Sequence, residues 1–517
     1  MHGKQSKGSK KLAATPKYVS PTQLTLAGFE TPFDKQLSPG NRWVRLAHSI
    51  PWDDIVSVYD KQFSSSEGRP PLSGRIIIGA LIIKHLESFT DRATIDHIAE
   101  NMYMQYFLGY TSFSSEPPFT APLFVTIRKR LSLELLSQIN ELVARHGMQS
   151  DADPDDPGGS DSPPGSPAPQ DETSAPAATP SSKPEPAPKG RLLMDATVAP
   201  QHITFPTDLK LLDAARRKSE ELIDVLYDSA RHGKIKPRTY RKQARKDFLN
   251  TAKKKQKRAK VIYRANGQQL RYLRRNIGHI DKLLKAYEAS PLDKHQQTYL
   301  QTIRTVYEQQ LKMHSSRTHR VEDRIVNLHQ PHVRPIVRGK ERAKVEFGSK
   351  LQVSLVDGYM FIDKLSWDAF NEGICLQDSV AQYRRRFGHY PAEILADQIY
   401  CNQENRRWLK ERGIRLKAKP LGRPSAKAVE NHVSPGERNP VEGKFGQGKL
   451  GYGLDCIKAK LQDTSESWIA CIALVLNLVR LAGKAPHTLY RMLRIWWSQQ
   501  IASLEGFQNL PLAWRVI

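Results

Sequence analysis

The 517-residue sequence is poor in cysteine, in acids and in long apolar runs, and each shortage excludes something. Its four cysteines, Cys375, Cys401, Cys456 and Cys471, are scattered and form no CxxC pair. They build neither a disulfide framework nor a zinc knuckle, and they fit a reducing cytoplasm. The longest apolar runs, Ile76–Ile83 and Trp468–Leu476, reach about half of the ~20 residues a bilayer span requires, so no membrane is expected. The basic start of the chain, with Lys4, Lys7, Lys10 and Lys11, has no apolar stretch behind it, so no secretory signal is expected either. There is no P-loop, GxSxG or HExxH, and hence no expected nucleotide cofactor. Gly446 to Gly451 formally matches GxGxxG, but proline, glycine and charge precede it where a dinucleotide site needs an apolar strand. His329 and His332 have ligand-like spacing, yet Pro331 separates them and no third ligand accompanies them, which favours loop histidines.

What the chain has in excess is positive charge. Against 53 acids stand 79 Lys and Arg, a net charge of +26 that suits a polyanionic partner better than a neutral metabolite. The excess is concentrated. Residues 231–275 hold eighteen Lys and Arg and a single acid, Asp247, so ion pairs inside the segment cannot neutralise it. Tyr240, Phe248, Tyr263 and Tyr272 interleave with these bases. The pattern points to contacts with phosphate backbones, centred on Lys253, Lys254, Lys255, Lys257 and Arg258, in preference to a merely solvated face.

Composition divides the chain. Residues 1–39 read as a basic arm and 485–517 as a tail. Residues 149–190 read as a disordered acidic linker, because 151–190 alone carries eleven prolines and eight acids with no large apolar side chain. Before it, residues 40–148 read as an all-α domain: an apolar helix over 71–89, one capped at Thr90 or Asp91 and running through Tyr106 and Phe107, a third capped by Thr120 that ends in Arg128, Lys129 and Arg130, and a fourth over 131–146. That is either a helix-turn-helix-like DNA reader or a plain bundle with a basic face. After the linker, 191–484 reads as α/β. Arg191–Ala199 is a strand that His202–Phe205 is expected to pair with, followed by a basic helical insert at about 208–330. Strands resume in a hairpin turning at Asp357-Gly358, then alternate with helices, which makes a mixed sheet with helices on its faces.

Two aspartates stand out in that region. Asp195 interrupts the apolar run Leu192-Leu193-Met194, and Asp397 directly follows Ile394-Leu395-Ala396. Carboxylates at strand ends are where an α/β sheet gathers a site, though a lone one is more often a turn former. The segment Arg438-Asn439-Pro440-Val441-Glu442 offers a third acid. Asn439 and Pro440 predict a helix start with Glu442 in its first turn, and Lys449, seven residues on, falls on the same face.

With Arg438, Glu442 and Lys449 in an R-x3-E-x6-K spacing, the segment resembles the signature of bacterial insertion-sequence DDE transposases. Met194-Asp195-Ala196-Thr197-Val198 and Leu395-Ala396-Asp397-Gln398-Ile399-Tyr400 resemble that family's two aspartate strands, and the N-terminal helices resemble the domain that precedes its core. Position 435 is Pro where the family has Tyr. The resemblance implies an RNase H-like core and a transposase that cleaves and joins DNA strands. It also implies Asp195, Asp397 and Glu442 as catalytic metal ligands for Mg2+, with Mn2+ as substitute. Arg438, Lys444 and Lys449 would lie on DNA, and double-stranded DNA would be bound as a homodimer on paired ends. A DNA-binding derivative without catalysis, and a nuclease without joining, are the alternatives.

Overall fold

The computed structural model describes residue 18 and residues 31–63, 72–150, 186–337, 345–418 and 435–482. The bulk of the acidic linker, the tail, and most of the N-terminal arm lie outside the described residues.

Residues 31–150 contribute eight helices: α1 Pro32–Gln36, α2 Arg42–Ser49, α3 Trp52–Phe63, α4 Gly74–Glu87, α5 Asp91–Glu100, α6 Met102–Phe107, α7 Leu123–Arg130 and α8 Leu133–Ser150. α4 is apolar on every side and buried from Gly74 to His85, so it is the centre of this group. Thr90 caps α5 through the Ala93 N–H as expected. The helix predicted to continue through Phe107 instead breaks at Asn101. The Asn101 side chain accepts the N–H groups of Tyr103 and Met104 and starts α6. Thr120 does not cap α7. Pro122 occupies the cap position without a side-chain bond. α7 is also less free to read DNA than its charge suggests, because Arg128 is buried against Asp91 and over the Trp468 ring.

The second half is a six-stranded mixed sheet. β1 Arg191–Pro200 is central. β3 Val345–Val356 runs antiparallel on one side of it, and β5 Glu393–Leu395 parallel on the other, followed by β6 Arg415–Lys417, also parallel. The far edge of β3 takes β4 Tyr359–Ser366 and, at its start, β2 Arg334–Val337, both antiparallel. The β3–β4 hairpin turns where the sequence predicts. Asp357 and Gly358 both have positive φ, 47° and 77°, as a type I′ turn requires. A side chain at Gly358 would also collide with Arg480. Residues 202–205 form no strand. Gln201 bridges to Ile457 instead and ends the pairing of β1.

Around the sheet lie α14 Leu376–Phe387, α15 Gln403–Lys410, α16 Pro435–Gly446 and α17 Gln462–Leu481. α17 extends the apolar run at Trp468 to 20 residues, long and apolar enough by those measures to cross a membrane. Here it is the core helix, with Ile472, Val475, Leu476 and Leu478 fully enclosed. It packs against α4, α7, α8 and β4, so the helices of 31–150 and the sheet share one apolar cluster across the linker that was expected to separate them. Asn477 locks this junction. It donates to Asn140 Oδ1 and the Met360 carbonyl, both at 2.8 Å, and accepts the Met360 N–H at 2.7 Å. Asn477→Leu keeps the volume but strands those partners away from water. It should cost about 2–4 kcal/mol in urea unfolding, since buried orphans each cost about 1–3 kcal/mol. A loss under 0.5 kcal/mol would show that the junction is not a shared core.

Between β1 and β2 comes the helical segment: α9 Asp208–Leu226, α10 Ser229–His232, α11 Arg241–Ala252, α12 Ala259–Leu284 and α13 Lys294–Ser316. It has its own core, including Leu212, Ile223, Leu273, Ile280 and Ile303. Arg216 is buried inside it and held by Asp213, Glu220 and Gln269.

Candidate active site

The sheet register builds the site. Leu193 pairs with Leu395 across the parallel β1–β5 edge, and two residues further along both chains stand Asp195 and Asp397. Strands alternate with period two, so both carboxylates project on one face, about 5 Å apart in backbone. Asp195 is the only partly exposed side chain between Leu192 and Ala199. Asp397 follows β5 and caps the 3₁₀ turn Gln398–Tyr400 through the Gln398 N–H.

α16 lies on that face, its Val441 and Phe445 in the apolar cluster with Leu193 and Leu395. Arg438 reaches from it to both aspartates, Nη1 to Asp397 Oδ1 at 3.1 Å and Nη2 to Asp195 Oδ2 at 3.4 Å. One residue earlier, Glu437 pairs with Lys417 of β6 at 3.6 Å, so α16 is tied to the sheet at two points. Burial pushes the Asp195 carboxyl above its usual range. The Ala196 N–H and Arg438 counter that shift, while Glu372 and Asp397 add repulsion. Glu372 was not legible in the sequence. It sits in a 3₁₀ turn, Glu372–Cys375, where nothing in the local pattern marks it, and Lys350 neutralises it at 2.8 Å.

Glu442 is one turn beyond Arg438 on the same helix, but it is exposed and no bond joins it to either aspartate. Among the described residues no three His, Cys, Asp or Glu stand close enough to hold a metal. The expected helix start at Asn439-Pro440 is also displaced. α16 begins at Pro435 and Pro440 lies within it. From Gln447 to Gly451 the chain winds as a π turn, where glycines tolerate the wider winding, so the seven-residue α spacing from Glu442 to Lys449 does not hold. Lys444, expected on DNA, turns inward and donates to the Leu476 carbonyl at 3.2 Å. Burial, with Arg480 adding, lowers its pKa from 10.5 to about 8. Below pH 8 the folded state therefore holds a costly ammonium, and stability should rise with pH between about 8 and 10.5. Lys444→Met should add about 1–2 kcal/mol at pH 7 in urea unfolding, a gain that shrinks by pH 10.5. Equal gains at both pH values would place the ammonium in solvent.

The basic segment meets its expectation differently along its length. Arg231, Lys236 and Arg241 find carboxylates outside it, on Asp228 and Asp224. Tyr240 lies between Arg238 and Arg275, each 4.6 Å from its ring, and Tyr272 bonds Asp247. Lys253, Lys254, Lys255, Lys257 and Arg258, in the turn between α11 and α12, are all exposed and form no ion pair with any described residue.

Comparison with known proteins fits this arrangement. Residues 394–479, which carry Asp397, Arg438, Glu442 and Lys449, match the family described as a transposase DDE domain. Residues 31–130 match a second family, a transposase domain (DUF772). Both matches support the resemblance to an insertion-sequence DDE transposase. It is also 26% identical over 183 residues to a Rhizobium meliloti protein named as uncharacterized protein ORF8 in the nfe locus, covering 35% of this chain and 73% of that one. No solved structure matches the chain.

Proposed function

We propose that the protein binds the ends of its element and performs metal-dependent cleavage and strand transfer on double-stranded DNA. The observation that carries this is the register that sets Asp195 and Asp397 side by side under a helix bearing Arg438 and Glu442. The sheet order β4-β3-β1-β5-β6, with β1, β5 and β6 parallel, is compatible with the RNase H-like core implied by the resemblance.

The donor chemistry of the pair suits a hard divalent ion, since both oxygens already face one cation, the Arg438 guanidinium. Asp195, Asp397 and, from α16, Glu442 would hold Mg2+ or Mn2+. Bound there, such ions lower the pKa of an attacking water or 3′-hydroxyl and stabilise the departing oxygen. The chain's own residues supply the rest. The strand register positions the two carboxylates. The Ala196 and Gln398 N–H groups each hold one carboxylate oxygen in place. Arg438 and Lys449 would steady phosphates near the scissile bond, and Lys253 to Arg258 would grip backbone further away. A homodimer would hold two ends together.

The test uses supercoiled DNA carrying the sequences that flank the gene. With Mg2+ the purified protein should nick at the element's ends and yield joined products. Nicking without joining would make it a nuclease, and binding without nicking a non-catalytic DNA-binding derivative.

A further inference from the structure

The guanidinium between the two aspartates is in the place a metal needs. Arg438 Nη1 and Nη2 address Asp397 Oδ1 and Asp195 Oδ2, while the second oxygen of Asp195 is taken by the Ala196 N–H at 2.8 Å. The Arg438 side chain is only 18% exposed, so water screens this contact poorly. Glu372, the other acid near Asp195, already has Lys350. Arg438 is therefore the cation set between the two aspartates, touching an oxygen of each. Yet its fit is loose. Both contacts are longer than the 2.7–2.9 Å of a strong charge-assisted bond. Its Nε is also buried and has no acceptor among the described residues. A planar fork with one donor to spare is suited to a phosphate, which offers several oxygens at once.

We propose that Arg438 is a resident counter-ion that reserves the aspartate pair until DNA arrives. This rests on the assignment of Asp195 and Asp397 as metal ligands. Mg2+ coordinates carboxylate oxygens at about 2.0–2.1 Å, and a guanidinium on those same oxygens excludes such an ion by space and by charge. A backbone phosphate gives Arg438 a better partner, satisfies Nε, and releases both carboxylates. Metal and DNA then bind with positive coupling, each strengthening the other by the same factor. Free protein stays poorly loaded with metal, so the carboxylates are armed only where a phosphate is present. Arg438 acts here as a positioning residue, through the aspartates.

The experiment is Mn2+ titration of the full chain by electron paramagnetic resonance, which counts free ion and needs no turnover. Arg438→Gln should bind Mn2+ about 5- to 50-fold more tightly than wild type without DNA, within the usual range of coupling between sites. Arg438→Lys, a cation able to reach only one carboxylate, should fall between. Adding a duplex should tighten Mn2+ binding to wild type and do little for Arg438→Gln, after subtraction of the ion taken up by a matched sample of Asp195→Asn. Should Arg438→Gln unfold by circular dichroism, the Arg438→Lys comparison carries the test. Mn2+ affinity in the variants no higher than in wild type, with Asp195→Asn abolishing binding in each, would overturn the counter-ion role alone. If Arg438→Gln with Asp195→Asn binds Mn2+ as well as Arg438→Gln does, the aspartates are not the metal seat and the underlying assignment falls.

Discussion

Asp195→Asn should reduce strand cleavage by about 10³-fold or more while leaving DNA affinity within about threefold. Removing a group that stabilises developing charge costs the reaction, whereas binding to DNA is carried by cations. The structure makes the change mild for folding. Asparagine fits the same volume on β1, keeps an acceptor for the Ala196 N–H, and removes a carboxylate whose burial already disfavours its charge. A melting temperature equal to or above that of wild type should therefore accompany the loss of activity, which separates a catalytic defect from an unfolded protein. Asp397→Asn should behave alike, since its cap on the Gln398 N–H survives. Glu442→Gln is the informative member of the set. Its carboxylate is exposed and bonded to neither aspartate. If it cleaves normally, Glu442 is not the third ligand, and Glu372, whose charge acts on Asp195, becomes the acid to test next.

The parts of this fold legible in the sequence are those where one local rule decides. The apolar run from Leu192 reads as a strand, and Asp357-Gly358 as a tight hairpin turn, because both residues take positive φ there. Asp195 and Asp397 were visible because each breaks or ends such a run. What pattern could not show is the register, a long-range property, and it is the register that makes two separate aspartates a pair. Periodicity also failed where side chains compete with it. Asn101 caps a helix in the middle of an apolar series, and Pro440 lies inside a helix it seemed to begin. Charge misled for a related reason. Lys444 was expected on DNA and Arg128 on a basic face, yet Lys444 is half-buried and Arg128 buried, each with a tertiary acceptor that no window of sequence contains. Glu372 had no local mark at all.

Neutralising Lys253, Lys254, Lys255, Lys257 and Arg258 together should change DNA binding more than any other surface substitution. These five cations are exposed on one turn between α11 and α12, without carboxylate partners among the described residues, at the edge of a helical body whose other charges are partly spent on Asp224, Asp228 and Tyr240. Lysine and arginine on an exposed turn reach phosphates without reading bases, so the loss should be similar for element ends and for random duplex. If most of the five contact phosphate, the slope of log affinity against log salt should flatten by about three to five units, each contact releasing close to one counterion. At low salt the affinity should fall by about 10²–10⁴-fold, and the preference for element ends should persist, because it would be read elsewhere. The fold should tolerate the change, since none of the five side chains enters the core formed by Leu212, Ile223, Leu273 and Ile303. Binding titrations at several salt concentrations decide the matter. An unchanged slope would make this turn a solvated surface and move the search for DNA contacts to the exposed Lys129 and Arg130 at the end of α7.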